Sequence, residues 1–296
     1  MIRLLLHRPT IFHSHTFQFL STTTETFQNK KQHLQFLQDQ ATLPSGFSAG
    51  ISTFKFSPQE LPTLDASMTL TMLSLDDPNG TAAWSAMYTK NAFPGSPVTV
   101  GKDLLADPIS RIQGIICNNK ISNVFPGGKI SGVDNAKKVA QSALNELNRA
   151  NNITNSTSTS TFLPSSTGVI GWRIPVDEMI QEMPTLIQNL DNKSALPAAQ
   201  GIMTTDLYPK VRGVEIPCEN GDLGLLTGIA KGAGMIEPNM ATMLGKTLKR
   251  YKARIKMTAI YYPFCSMLFY SFLLTCIIYF FLIFLVFVLI LLQFFL

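Results

Sequence analysis

Along the middle of the chain, short apolar runs give way to amphipathic stretches and back again. Thr69–Leu75, Ala82–Tyr88 and Gln113–Cys117 are apolar and rich in β-favouring residues, which predicts strands. From Asp134 to about Ala150 the period lengthens. Val139, Ala143, Leu144 and Leu147 fall on one face, with Lys137, Lys138 and Asn145 away from it, so this stretch is a helix. A second helix starts at Pro175, a residue favoured at the first helical position, with Asp177 and Glu178 in its first turn. A shorter helix follows over Leu196–Met203. Residues 211–217 and 222–230 read as a strand pair around the turn Glu219-Asn220-Gly221, and the polar low-complexity run 151–161 reads as a surface loop. The pattern describes an α+β (α/β-type) body with more than one sheet.

Both ends break this pattern. Residues 257–296 carry no charged side chain and are dominated by Phe, Leu, Ile and Tyr. Within them Phe272–Leu296 is long enough for a membrane-spanning helix, which needs about 20 apolar residues. Residues 1–24 contain no acid, and Arg3, His7 and Arg8 are scattered among apolar, Ser and Thr residues. That is the composition of an organelle transit peptide. The expected organisation is therefore a leader over 1–43, a body over 44–241, a basic linker over 242–256 and an apolar tail over 257–296.

Charge and cysteine content narrow the chemistry. The net charge of +5 gathers at Lys246, Lys249, Arg250, Lys252, Arg254 and Lys256, beside the tail, where it reads as a membrane flank on the matrix or cytoplasmic side. No nucleic-acid recognition motif accompanies it. Cys117, Cys218, Cys265 and Cys276 form no C-x-x-C pair, which argues against a zinc ribbon or a disulfide framework. All the histidines, His7, His13, His15 and His33, fall in the expected leader. A body without imidazole cannot use a histidine-based triad, so a covalent nucleophile would need another base.

Polar, glycine-rich segments hold the candidate chemistry. In Ser166-Thr167-Gly168-Val169-Ile170-Gly171 a Thr-Gly step can aim two successive backbone N–H groups at one oxyanion, although such a turn is equally an ordinary strand entry. Met203-Thr204-Thr205-Asp206 offers hydroxyls, for helix capping or for a ligand. The run Gly228–Leu244, GIAKGAGMIEPNMATML, sets Lys231 between glycines, where its charge could hold a carboxylate. The phosphate-binding spacing G-x-x-x-x-G-K-[ST] is absent.

Taken in order, STGVIG, MTTD, and AKGAG followed by GMIEPNMATML resemble the motifs of the bifunctional ornithine acetyltransferase and N-acetylglutamate synthase family, over roughly residues 44–244. The resemblance implies a four-layer αββα sandwich and a precursor cleaved between Ala241 and Thr242. The new N-terminal amine of Thr242 would serve as base for its own hydroxyl. Acetyl would pass from N-acetylornithine to glutamate in arginine biosynthesis through an acetyl-threonine, in a ping-pong cycle. Acetyl-CoA would be an alternative donor, and no cofactor would be retained. By position Thr167 and Gly168 match the oxyanion-stabilising pair, while Thr205, Lys231 and Thr242 match substrate contacts. The family's halves associate as α2β2.

Two departures accompany the match. The family's Asn-Ser-Gly-Asn-Ala-Asn-like stretch is replaced by Cys117-Asn118-Asn119-Lys120-Ile121-Ser122-Asn123, and Glu237 is unusual beside the cleavage motif. By the resemblance, residues 242–256 would begin the family's second chain, and the similarity ends soon after Leu244, within its first residues. The expected location is the mitochondrial matrix, with a plastid as alternative. The competing expectation is an inactive, truncated or misassembled transferase-like protein held at a membrane by its tail.

Overall fold

The computed structural model describes residues 27–77, 82–153, 160–217 and 223–232 in full, and two short strands beyond them by their backbone. Strands β1 (Phe47–Phe56), β2 (Ala66–Leu75), β4 (Arg111–Asn118) and β5 (Ser160–Ser166) form one sheet in the order β1-β2-β4-β5. Its pairs are antiparallel except β4 with β5, which run parallel and need a crossover. That crossover is helix α3 (Gly132–Ala150). A second sheet has the order β3-β9-β8-β7-β6, from β3 (Ser85–Met87), β6 (Lys210–Pro217), β7 (Leu223–Ala230), β8 (Thr258–Tyr261) and β9 (Met267–Phe269).

The first sheet is covered on both faces, and its side chains sort accordingly. Met68, Leu70 and Met72 of β2, with Ile116 and Phe162, meet Val139, Ala143, Leu144 and Leu147 of α3 and Met179, Met183 and Leu186 of α4 (Val176–Gln188). Their neighbours Leu73 and Leu75, with Ile115, Cys117 and Leu163, point the other way. There they pack with α5 (Leu196–Gly201) and with Val211 and Ile229 of the second sheet. Successive strand residues face opposite sides, so double coverage buries β2 at every position from Leu70 to Leu75, the polar Thr71 and Ser74 included. The result is a mixed α/β body whose sheets share one core, with α3 and α4 outside the first sheet.

Several boundaries differ from the sequence reading, each for a local reason. Ser131 caps α3, its hydroxyl accepting from the Asp134 N–H at 3.1 Å, so Asp134 is a first-turn acid and not the helix start. Pro175 stands at the cap of α4 and not inside it. The strand expected over 82–88 is only β3, and Ser160–Thr161, expected in the loop, already belong to β5. The strand pair forms as β6 and β7, with Pro217 opposite Leu223, while the turn between them lies outside the described residues.

Helices α1 (Lys30–Asp39) and α2 (Ser96–Ala106), and strand β1, have weak periodicity and are not evident from the sequence pattern. Helix α1 matters most, because it falls in the expected leader. Leu37, Ala41 and Leu43 are buried, the Ala195 N–H donates to the Ala41 carbonyl at 2.6 Å, and the Thr227 hydroxyl donates to the Thr42 carbonyl at 2.5 Å. Residues 30–43 are therefore built into the body, and His33 with them. Its ring stacks on Phe27 at 4.6 Å and meets Tyr208 edge-on at 5.0 Å, so the body does contain one imidazole.

The expected apolar tail contributes β8, parallel to β7, and β9, antiparallel to β3. Among the described residues no helix is long and apolar enough to cross a membrane. The span expected at Phe272–Leu296 lies outside them, as do Ala241, Thr242, Glu237 and Cys218.

Candidate functional site

The site grows from the loop that leaves β4. Asn118, at the strand end, is buried, and its side-chain oxygen accepts the N–H groups of Lys120 (3.1 Å) and Ile121 (2.9 Å), closing a tight turn. Its amide donates to Ser166 Oγ at 2.8 Å, which ties the turn to the parallel strand β5. Asn119 reaches two other elements. Its Oδ1 accepts the Thr69 N–H of β2 at 2.8 Å, and its Nδ2 donates to the Met203 carbonyl at 3.1 Å. Asn123, fully buried at φ +53°, donates to the Gly132 carbonyl at the start of α3. The stretch that departs from the family pattern thus has a definite job. It holds the Thr-Gly turn and the Met-Thr-Thr-Asp segment to one strand end.

The Thr-Gly turn differs from the sequence expectation in its donors. The Thr167 N–H is already given to the Asn118 carbonyl at 3.0 Å, and Val169 N–H to the Lys120 carbonyl at 2.9 Å. Two successive free backbone N–H groups are therefore not available. What remains without a hydrogen-bond partner among the described residues is the Thr167 hydroxyl and the Gly168 N–H. One side-chain and one backbone donor can still flank an oxyanion. Gly168 sits at φ +123°, and a Cβ there would lie 2.2 Å from the Lys120 carbonyl oxygen. Only glycine fits, so a bulky residue at 168 would disturb the fold before it reported on rate.

The second part of the site centres on Asp206, the acid that closes Met203-Thr204-Thr205-Asp206 and to which the motif alone gives no role. Its side chain is only 2% exposed. Its carboxylate accepts the Gly232 N–H through a short contact, the Lys210 ammonium at 3.0 Å and the Thr204 N–H at 3.2 Å. Burial works against ionisation. The hydrogen bonds from Lys210, Thr204 and Gly232 and the Lys210 charge outweigh it, and hold this carboxyl below its ordinary range. Lys231, 5% exposed at its side chain, stands 3.8 Å from the other carboxylate oxygen and 3.4 Å from the Gly232 carbonyl. Thr205 is exposed beside them. The signal for Asp206 was an acid closing a Thr-Thr turn ahead of a buried lysine, visible only once the two segments are neighbours.

The structure thus brings Thr167 and Gly168 and the Thr205–Lys231 group to one loop system, bridged by Asn118 and Asn119. It does not describe Ala241 or Thr242. Two internal cavities of about 10 Å³ each lie in the core, one lined by Thr71, Cys117 and Ile229, the other by Asn118, Ser165 and Ser166. Each is the size of a single water, too small for an amino-acid substrate. Among the described residues no group of His, Cys, Asp or Glu could hold a metal ion.

The model of the ArgJ family matches residues 66–257. The mitochondrial arginine biosynthesis bifunctional protein ArgJ of Podospora anserina is 33% identical over 216 residues, covering 71% of this chain and 42% of that protein. Its counterpart in Chlorobaculum tepidum is 35% identical over 177 residues, 59% of this chain and 40% of that one. The chain spans well under half the length of these relatives. A crystal structure of the arginine biosynthesis bifunctional protein of Bacillus halodurans is similar with a TM-score of 0.50 and 25% identity, over 69% of this chain and 94% of that one. The ornithine acetyltransferase of Mycobacterium tuberculosis, solved with ornithine, shares the fold with a TM-score of 0.52 and 24% identity, over 68% of this chain and 96% of that one.

Proposed function

The chain belongs to the ArgJ family, an enzyme family, and from that premise we propose that it carries the oxyanion and carboxylate-binding part of an ornithine acetyltransferase site. The observation that carries this reading is the tie made by Asn118 and Asn119 between the Thr167–Gly168 turn and the segment bearing Thr205 and Asp206. An acyl-transfer site needs oxyanion donors and a grip on the substrate's carboxylate held at a fixed spacing, and a shared strand end supplies that.

In this reading the chain is cut between Ala241 and Thr242. The Thr242 hydroxyl then attacks the acetyl carbonyl of N-acetylornithine while its own amine takes the hydroxyl proton. The Thr167 hydroxyl and Gly168 N–H receive the developing negative charge. As the tetrahedral intermediate collapses, the bond from the acetyl carbon to the ornithine nitrogen breaks, and that nitrogen leaves with the proton. Glutamate's amine then takes the acetyl group by the reverse steps. Lys231 holds the α-carboxylate of either amino acid, with Thr205 beside it. Acetyl-CoA is an alternative donor to the same threonine.

Further parts belong to the same reading. This chain covers nearly all of a solved chain of the family but less than half of the curated proteins, which is the length relation that a divided precursor produces. A completed αββα sandwich, an α2β2 assembly and a mitochondrial matrix address, the last by analogy with the fungal relative, belong to the same proposal.

Mass spectrometry of the purified chain tests it. The expected result is a fragment with Thr242 at its N-terminus that gains one acetyl group on incubation with N-acetylornithine, and neither fragment nor adduct in Thr242→Ala. A wild-type chain that acquires no acetyl group, or an adduct that survives the substitution, overturns the proposal.

A further inference from the structure

Asp206 and the two lysines around it form a charge arrangement that the transfer chemistry alone does not require. The antiparallel register sets Lys210, the first residue of β6, opposite Ala230, the last of β7, so the next residue, Lys231, emerges beside it. Asp206 lies between the two ammonium groups, but unequally. Lys210 is within hydrogen-bonding distance of its Oδ1 at 3.0 Å, while Lys231 is 3.8 Å from Oδ2, beyond the range of a direct bond. Exposure is unequal too. Lys210 is 46% exposed at its side chain and Lys231 only 5%. A buried ammonium beside a buried carboxylate would ordinarily close to a direct pair at about 2.8 Å. Here Oδ1 already accepts from Lys210 and the Gly232 N–H, Oδ2 accepts the Thr204 N–H, and the Lys231 ammonium donates instead to the Gly232 carbonyl at 3.4 Å.

We propose that Lys210 is a positioning residue that acts through Asp206. By taking up the carboxylate it keeps the buried Lys231 ammonium out of a closed ion pair, and so available to a ligand carboxylate. The three side chains together carry one net positive charge. That matches a single carboxylate, so a monoanionic α-carboxylate enters as the missing partner. Asp206 also anchors both sides of the arrangement. It accepts from Thr204 beside Thr205 and from Gly232 beside Lys231, and a Cβ at Gly232 would stand 2.1 Å from its Oδ1. The carboxylate-binding role of Lys231 is the one advanced above, and the inference rests on it.

The test compares Lys210→Gln, Lys210→Arg, and Lys210→Gln combined with Asp206→Asn in the full chain. In a crystal structure of Lys210→Gln, Lys231 Nζ is expected to close on Asp206 to a direct hydrogen bond, and in Lys210→Arg to keep its present separation. Calorimetric titration with ornithine should show binding about tenfold weaker in Lys210→Gln, because the cluster becomes neutral. It should recover to within a few-fold of wild type in the double variant, where the net charge is again one. A cluster that served only to hold the fold would leave the double variant no better than the single one, and that result, or an unchanged Lys231 separation in Lys210→Gln, overturns the proposal. If the wild-type chain itself binds no ornithine, the carboxylate reading of Lys231 fails, and the separation seen in Lys210→Gln still decides whether Lys210 holds the two side chains apart.

Discussion

Replacing Gly168 by alanine probes the contact on which the site geometry depends. The residue sits at φ +123°, a region costing a non-glycine residue about 1–3 kcal/mol. The added methyl would also stand 2.2 Å from the Lys120 carbonyl oxygen and 3.0 Å from the Ile121 nitrogen, both backbone atoms that cannot rotate away. Relieving that overlap means separating the turn after β4 from the turn after β5. Overpacking of this kind costs about 1–3 kcal/mol. It also weakens the Thr167-to-Asn118 and Val169-to-Lys120 hydrogen bonds, worth about 1 kcal/mol each. The expected loss is roughly 2–8 kcal/mol, a large fraction of the about 5–15 kcal/mol that holds a typical domain together. Gly171 provides the control. It too has positive φ, +86°, but a Cβ there meets nothing within 4 Å, so Gly171→Ala should cost only the backbone strain, about 1–2 kcal/mol. Urea unfolding followed by the fluorescence of Trp84 and Trp172 should give midpoints in the order wild type, Gly171→Ala, Gly168→Ala, with similar slopes. Equal midpoints for the two variants would mean that the Lys120 carbonyl does not press on Gly168, and the account of the turn would fail.

Three further outcomes are expected. Thr167→Val removes the hydroxyl but keeps the backbone N–H bonded to Asn118, so stability should change little, while acetyl-enzyme formation slows by roughly 10²–10³-fold, measured by rapid-quench mass spectrometry. Asn119→Ala breaks the bonds to Thr69 and Met203 and should lower stability by about 2 kcal/mol in urea, whereas Asn119→Asp retains the acceptor for Thr69 and should lose about half as much. Asp206 has a folded pKa below its unfolded value of about 3.9, so its stabilising contribution is fully present above that pH and is lost as pH falls through the lower folded value. A titration of unfolding midpoints below about pH 5 should therefore fall less steeply for Asp206→Asn, and an unchanged slope would show that the carboxylate is not held ionised by Lys210 and its backbone donors.

The sequence alone was enough for the features that local physics dictates. Helix α3 was legible because Val139, Ala143, Leu144 and Leu147 repeat with helical period against a single apolar wall. The hairpin of β6 and β7 was legible from two β-favouring runs on either side of a turn. The motifs around Thr167, Thr205 and Lys231 stood out because glycines and hydroxyls in such runs are out of place in a core. Tertiary structure decided what depends on segments far apart in the chain. Helix α1 has a weak apolar period and became part of the body only because Leu37, with Ala41 and Leu43 just after the helix, joins a core that includes Ala195, Val211 and Ile229, over 150 positions later. The donors at the Thr-Gly turn changed because a parallel strand pairing claims the Thr167 N–H for Asn118, a partner that spacing cannot reveal. Asp206 acquired its role only when the β6–β7 register brought Lys210 and Lys231 to either side of it. Hydrophobic period is set by a residue's neighbours along the chain. The charge balance of a buried site is set by whatever the fold places across from it.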